Sequence, residues 1–356
     1  MPAERRAMQH EVVSPQPLLD VHGNIREPGY ATSLVWEYDR ALIQAPRWRI
    51  KEWDYYYVGD QAHGFAVTLS DAGFVSSLSA SVLGFGVEEP EPFQLNGGAL
   101  GLFPLGKLGL PSTSVRGDVA ARVGAADFSF ANDGNARHLA GTIKNYARTE
   151  SELAFDLLLR DVPRDTMAIA TPFEKERHFY YNQKINCLTA SGWVSWGDGR
   201  IEFSPESALA VLDWGRGVWT YNNTWYWGSG SMRLASGDTF GFNLGYGFGD
   251  TSAASENMLF LNGHASKLGD VRFDIPQRED GTYDYLGIWR FTDEDGRLDL
   301  RMEPVLDRED PVNLGVVCMI PHQVFGRWYG TATLDGGRVV TLDGQMAFAE
   351  HVHNKW

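Results

Sequence analysis

The chain is poor in cysteine, in basic runs and in long apolar stretches, and each scarcity removes a class of protein. Cys187 and Cys318 are the only cysteines among 356 residues. They stand too far apart in sequence for a disulfide framework, and they lack the paired spacing of a zinc ligand set. Two such thiols fit a reducing cytosol, so the expected location is cytoplasmic. No stretch approaches the ~20 apolar residues that a membrane-spanning helix needs. The N-terminus, MPAERRAMQHEVVSPQPLL, has no apolar core of the signal-peptide kind. Lys plus Arg number 31 against 46 Asp plus Glu, a net charge of -15, and no basic run interrupts that balance. Such a surface repels phosphate backbones, which argues against a nucleic-acid partner. Walker and GxSxG motifs are missing. FGFNLGYGFG has glycines at alternate positions but no strand-to-helix context, so it is not a dinucleotide fingerprint. No cofactor and no metal are expected. Apolar periodicity of 3.6 residues nowhere exceeds about two turns.

What the chain has in quantity is aromatic residues, 13% of the total, within a hydrophobic fraction of 43% that suffices for a large core. They fall in short strand-like runs such as RWRIKEWDYYYV (47–58) and SELAFDLLLRD (151–161), punctuated by Gly, Asp, Asn and Ser. In the second run Leu153, Phe155, Leu157 and Leu159 share one face, with Glu152, Asp156 and Arg160 among the residues of the other, the period of a half-buried antiparallel strand. The closing segment, FGRWYGTATL then RVVTLDG, reads as a hairpin. The expected fold is all-β: two tandem lipocalin-like antiparallel β-barrels with few short helices. A surface arm is expected over residues 1–30, a first barrel over 31–180 and a second over 181–356. Residues 161–176 read as a Pro-containing link.

The stretch from Asn182 to Asn257 holds six of the twelve tryptophans together with several charged residues and many glycines. Aromatic walls around a few polar groups are the make-up of a ligand pocket. In YNNTWYWGSGS, Trp225 and Trp227 share one face, and Trp219 and Tyr221 repeat the spacing. The same rings also suit core packing. Asn182, Lys184 and Asn186 alternate along one strand face, either as a polar strip inside a barrel or as a solvated outer face. Lys184 there could hold a carboxylate or polarise a carbonyl. Asp213 and Arg216 are close in sequence, and Gly215 between them permits a tight turn in which they could pair as a structural clamp. A buried Asp213 could otherwise donate a proton. Glu256, just before an apolar strand, is an acid, a base or a rim salt bridge. Asp250 reads as a loop residue bonded to its own neighbours. Asn243 and Tyr246, in FGFNLGYG, join the candidate binding residues. His351 and His353 share a face without a third ligand, and His178 and His322 are candidate proton carriers.

Beyond single residues, RWRIKEWDYYYV, HFYYNQKINCLTASG, LDWGRGVWTYNNTWYWGSGS and FGFNLGYGFGDTSAASENMLFLNG together resemble the domain of unknown function 2804 family. The resemblance runs from about residue 30 to the end. That family looks like a distant branch of the carotenoid 1,2-hydratase, hydroxyneurosporene-synthase and AttH-type group, whose members pair two lipocalin-like barrels. Hydratases, terpenoid cyclases and fungal Diels–Alder cyclases acting on apolar polyenes belong to that wider group. The resemblance implies the fold more strongly than the function, and no hydratase catalytic motif maps onto a position here.

Three functions follow as expectations. The first is an acid/base enzyme without a metal (hydratase or lyase, isomerase or cyclase) on a lipid or isoprenoid-like substrate. Asp213, Glu256 and Lys184 would carry its chemistry. Asn182, Asn186, Arg216, Trp219, Tyr221, Trp225, Trp227, Asn243 and Tyr246 would bind. The second is a non-catalytic carrier of the same molecules, and the third a glycoside-active enzyme with paired carboxylates. The partner in each case is a small molecule or lipid.

Overall fold

A computed structural model describes residues 9–313 and 318–355. Residues 1–8 of the expected arm, and residues 314–317 and 356 of the expected second barrel, lie outside the described residues. The all-β expectation holds. Two large sheets, in which every strand pairing is antiparallel, roll into a nearly closed ten-strand barrel and a half-barrel. Helical structure among the described residues amounts to three short 3-10 turns.

The first sheet runs, in spatial order, through Phe93–Leu102, Val75–Gly84, His63–Asp71, Ile50–Gly59, Leu209–Val218, Phe179–Trp196, Leu153–Arg160, Arg137–Ile143, Ala126–Asn132 and Val119–Val123. The second runs through His264–Lys267, Met258–Leu261, Thr239–Tyr246, Asn222–Arg233, Val339–Lys355, Cys318–Thr333, Leu298–Arg308, Trp289–Asp293 and Val271–Asp274. Period-two alternation gives each strand two faces with different tasks. In the first sheet Tyr56, Val58, Leu212 and Trp214 enter its own core. Phe242, Leu244, Trp328 and Ala349 do the same in the second. The opposite faces meet between the sheets, where Tyr55 and Val211 pack with Trp227, Phe325 and Phe348. Tyr180 and Trp219 likewise pack with Phe248 and Phe260.

Three expectations change here. The proposed change of unit at 180/181 falls inside Phe179–Trp196, which lies in the middle of the first sheet. The chain crosses between sheets only after Val218. A long aromatic strand at the expected boundary reads as a new beginning, whereas it closes the first sheet against Leu209–Val218. The arm is not superficial: Val12, Leu18 and Ile25 are buried in the first core. His10 also donates its backbone N–H to Ala253 O at 2.8 Å. The link at 161–176 carries a strand, Met167–Pro172, which pairs with Phe179–Trp196 on one side and Gly29–Ala31 on the other.

Candidate functional site

The polar residues of the inter-sheet layer form one cluster. Asn182, Lys184 and Asn186 do share a strand face, and that face turns to the second sheet rather than to solvent; all three are buried. Lys184 Nζ lies 2.9 Å from Asp213 Oδ2 on the neighbouring strand. It also sits 3.8 Å from the centre of the Trp227 ring, over its electron-rich face. Asn182 Nδ2 donates to Asp213 Oδ1 at 2.6 Å. Asn182 Oδ1 is enclosed without a hydrogen-bond partner among the described residues. Asn186 Nδ2 donates to Ser229 Oγ, Gly230 O and Phe242 O at 2.9, 3.1 and 3.1 Å, which ties the sheets together.

The second sheet supplies two further carboxylates. Glu256 is fixed by Asn243, whose Nδ2 donates to Glu256 O at 2.8 Å and to Oε2 at 3.2 Å. Asn243 Oδ1 in turn accepts from Trp227 Nε1 at 2.7 Å. Glu350 accepts from Trp225 Nε1 at 3.0 Å and from Gln323 Nε2 at 3.3 Å. Gln323 also meets the Tyr55 hydroxyl, to which its Nε2 donates at 3.1 Å. Burial raises the Glu256 carboxyl above its ordinary range, against the pull of Lys184 and Asn243. Burial likewise pushes Glu350 up to about 7; the Trp225 N–H and Lys184 oppose this and Asp213 adds to it. The Tyr180 hydroxyl is driven far up by burial first, then by Glu256, Asp213 and Glu350, so the phenol faces the same cluster.

Glycines make room for these groups. A Cβ at Gly245 would stand 2.6 Å from Glu256 Oε1, and one at Gly215 would enter the Trp53 ring at 1.8 Å. The alternate glycines of FGFNLGYGFG thus admit a carboxylate into a packed layer. Toward one end the layer holds a cavity of about 220 Å³, lined among others by Tyr57, Val211, Ser229, Met346 and Phe348. Val211 precedes Asp213 on one strand face, and Phe348 precedes Glu350 on another.

Not every expected residue joins the cluster. Asp213 and Arg216 do not pair. Gly215 is no turn but part of the continuous strand Leu209–Val218, so positions three apart face opposite ways. Arg216 points into the first core and pairs with Asp54 at 3.0 Å. Tyr246 lies in the second sheet's own core, stacked on Tyr226 at 4.6 Å. Tyr221 stands half exposed in the link between the sheets. Trp219 does line the layer, edge-on to Trp53 at 5.0 Å and to Phe248 at 4.7 Å. Asp250 holds its own loop, accepting from Ser252 N at 2.9 Å. His178 bonds to the nearby Glu176 O, and His353 to Thr224. The sequence reading missed Glu350, Gln323, Tyr55 and Tyr180. Alternation in QMAFAEHVH carried a signal, since Met346, Phe348 and Glu350 share one face.

The chain belongs to the family described as Domain of unknown function (DUF2804), whose profile matches residues 9–356. Among solved structures it is similar to a protein assigned as AttH (NE1406) from Nitrosomonas europaea. The identity there is 14% and the TM-score 0.48, over 90% of this chain and 96% of that one. It is also similar to kievitone hydratase from Nectria haematococca, at 10% identity and a TM-score of 0.47, over 96% of this chain and 98% of that one. A comparison with curated proteins found no match. No helix among the described residues is long and apolar enough to cross a membrane.

Proposed function

We propose that the inter-sheet cluster is the active site of an acid/base enzyme. It would add water to, or remove it from, a small, largely apolar substrate that carries an alkene and a polar group. The observation that carries this reading is an imbalance: Lys184 pairs with Asp213 at 2.9 Å, and the same ammonium acts electrostatically on two further buried carboxylates, Glu256 and Glu350, in an aromatic-walled layer. Three carboxylates cannot all ionise cheaply beside one cation, so the cluster holds a proton at neutral pH. Lys267 and Arg308 also act on it, but Lys267 is bonded to Ser255 and backbone carbonyls, and Arg308 to Ser81 and Gln323.

The roles divide by environment. Asp213, bound by Lys184 and Asn182, serves as the fixed anion. Glu350 in its acid form gives a proton to one alkene carbon. Water adds to the other carbon and passes a proton to carboxylate Glu256; a proton returning from Glu256 to Glu350 resets the site. The net change is one water across one double bond, and the reverse order gives dehydration. The same proton donor suits isomerisation or cyclisation, in which a carbon loses the proton instead of water adding. Developing positive charge on carbon meets Asp213 and the indole faces of Trp225 and Trp227. Asn182 Oδ1 offers an acceptor for a substrate hydroxyl. The cavity of about 220 Å³ is lined by Val211 and Phe348 but by none of the three carboxylates, so it adjoins the cluster along the layer; it has room for a ring or a short isoprenoid segment, since roughly 150 Å³ suffices for benzene.

Native mass spectrometry of freshly purified protein and of its organic extract would identify a retained scaffold. Incubation of that scaffold and of related alkenes in deuterium oxide then tests the chemistry. Deuterium entering carbon with wild type, and at least a hundredfold more slowly with Glu350→Gln and Asp213→Asn, is the expected result. A ligand retained unchanged, with both variants indistinguishable from wild type, would make the protein a carrier and overturn the enzymatic reading.

A further inference from the structure

A second cluster lies on the other face of the strands that carry Arg308 and Gln323, independent of the site above. His322 Nδ1 is 2.8 Å from Asp307 Oδ2 and 3.4 Å from Glu309 Oε1. One ligand-type atom from each of the three residues lies within 4.8 Å of the others. Among the described residues neither carboxylate pairs with a lysine or arginine, so a single imidazole nitrogen faces two acids. Asp307 Oδ1 is enclosed and lacks a hydrogen-bond partner among the described residues. The imidazole is held in place: its ring stacks on Tyr285 with centres 3.6 Å apart and planes 12° from parallel. The Tyr285 hydroxyl is itself fixed by His351 Nδ1 at 2.9 Å.

We propose that Asp307, Glu309 and His322 form a three-ligand site for a divalent transition-metal ion of the zinc class. Two donors about 2.1 Å from a tetrahedral ion stand about 3.4 Å apart. The His322–Glu309 separation already has that value. The His322–Asp307 separation must open by about 0.6 Å, which a small rotation of one carboxylate provides. One nitrogen and two oxygens suit zinc, cobalt or manganese. Magnesium and calcium take oxygen sets and would not use the imidazole. Half-exposed Glu309 leaves a path from solvent, and three protein ligands leave a fourth position for water or an incoming donor. The stack that orients His322 supplies the fixed imidazole that bound metals require. An ion there would clamp the end of Leu298–Arg308 to Cys318–Thr333 without touching the inter-sheet layer.

The test uses the full chain, stripped with a chelator and titrated with Co(II) and Zn(II) against a chromophoric competitor. Expected are one ion per chain, visible cobalt absorption of a low-coordinate site, and a zinc-dependent rise in melting temperature. Affinity should fall roughly tenfold or more in Glu309→Gln and be lost in His322→Ala. The exposed Glu309→Gln change keeps the test valid should His322→Ala fold poorly. No stoichiometric binding by wild type, or binding that survives both substitutions, would overturn the site.

Discussion

The core of the first sheet and the layer between the sheets each bury an ion pair, and the two pairs are built for different ends. In the core, Arg216 Nη1 donates to Trp53 O at 2.8 Å, Gly215 O at 2.8 Å and Asp54 Oδ1 at 3.0 Å, and Nη2 donates to Pro111 O at 2.7 Å. Its guanidinium also lies 4.2 Å from the Trp214 ring centre. One cation meets one carboxylate and three backbone carbonyls, while its Nε is enclosed without a hydrogen-bond partner among the described residues. Between the sheets one ammonium pairs with Asp213 and acts electrostatically on two further carboxylates, Glu256 and Glu350, and an amide oxygen of Asn182 is left over. A matched pair surrounded by fixed acceptors is a brace. A mismatched group with unused acceptors can hold a proton and receive a ligand.

The largest effect expected from breaking this comparison is at the brace. Arg216→Met leaves Asp54 buried without its cation, and urea unfolding should show a loss of about 3–5 kcal/mol. Any ligand affinity that remains in the folded fraction should be unchanged, because Arg216 faces away from the layer. An equal or larger effect on ligand affinity than on stability would refute the division of labour.

Next in size is Glu350→Gln. The folded carboxyl titrates at about 7 against an ordinary value of 4.5. Between those values the folded state therefore binds more protons than the unfolded state, so stability falls as pH rises through that window. The full penalty above pH 7 is on the order of 3 kcal/mol. A neutral amide removes it, so the variant should gain stability over wild type at pH 8 and little or none below pH 4.5. Denaturation midpoints at the two pH values read this directly. For turnover, the acid form of wild type is lost above pH about 7, and rate should decline there. A pH-independent difference between the two proteins would place Glu350's proton elsewhere.

Asn186→Ala removes three hydrogen bonds that cross from one sheet to the other. A loss of about 1–3 kcal/mol is expected from the carbonyls and hydroxyl left unpaired. The Lys184–Asp213 pair should persist, so the proton-holding behaviour above should remain. If Asn186→Ala instead abolishes it, the sheets' relative placement and not the carboxylates sets the chemistry.

Alternation made much of this legible in sequence. It placed Asn182, Lys184 and Asn186 on one face, and Trp225 and Trp227 together against Tyr226. What alternation cannot supply is which sheet face meets which, and that decided the errors. Asp213 and Arg216 looked like partners because they are close in sequence, whereas a straight strand separates them and brings in Lys184 and Asp54 from neighbouring strands. Nothing in the local sequence ties Glu350 to the stretch from Asn182 to Asn257, from which it is far along the chain. It reaches the site only because Val339–Lys355 pairs with Asn222–Arg233, setting Glu350 opposite Trp227. Their prolines suggest a surface arm over residues 1–30 and a link over 161–176. Yet Gly29–Ala31 and Met167–Pro172 pair with each other at the side of the first sheet, where proline does least harm.

The smallest expected effects come from two tyrosines, Tyr221 and Tyr246, that the sequence offers as binding residues. Tyr221 is half exposed in the link, so Tyr221→Ala should shift stability by no more than about 0.5 kcal/mol. Tyr246→Phe keeps the ring stacked on Tyr226 and edge-on to Phe273, and loses only the hydroxyl that accepts from Phe273 N at 3.3 Å. Its cost should be about 1 kcal/mol, with ligand retention unchanged. Trp225→Phe is the matched control: it preserves an aromatic wall but removes the N–H donated to Glu350. That N–H lowers the Glu350 carboxyl against burial, so its loss should move the stability-versus-pH transition to still higher pH. Fluorescence-monitored unfolding across pH 5–9 distinguishes the three variants. A transition that moves with Tyr246→Phe as far as with Trp225→Phe would mean that the second core and the inter-sheet layer are one electrostatic unit, and the comparison between separate compartments would fail.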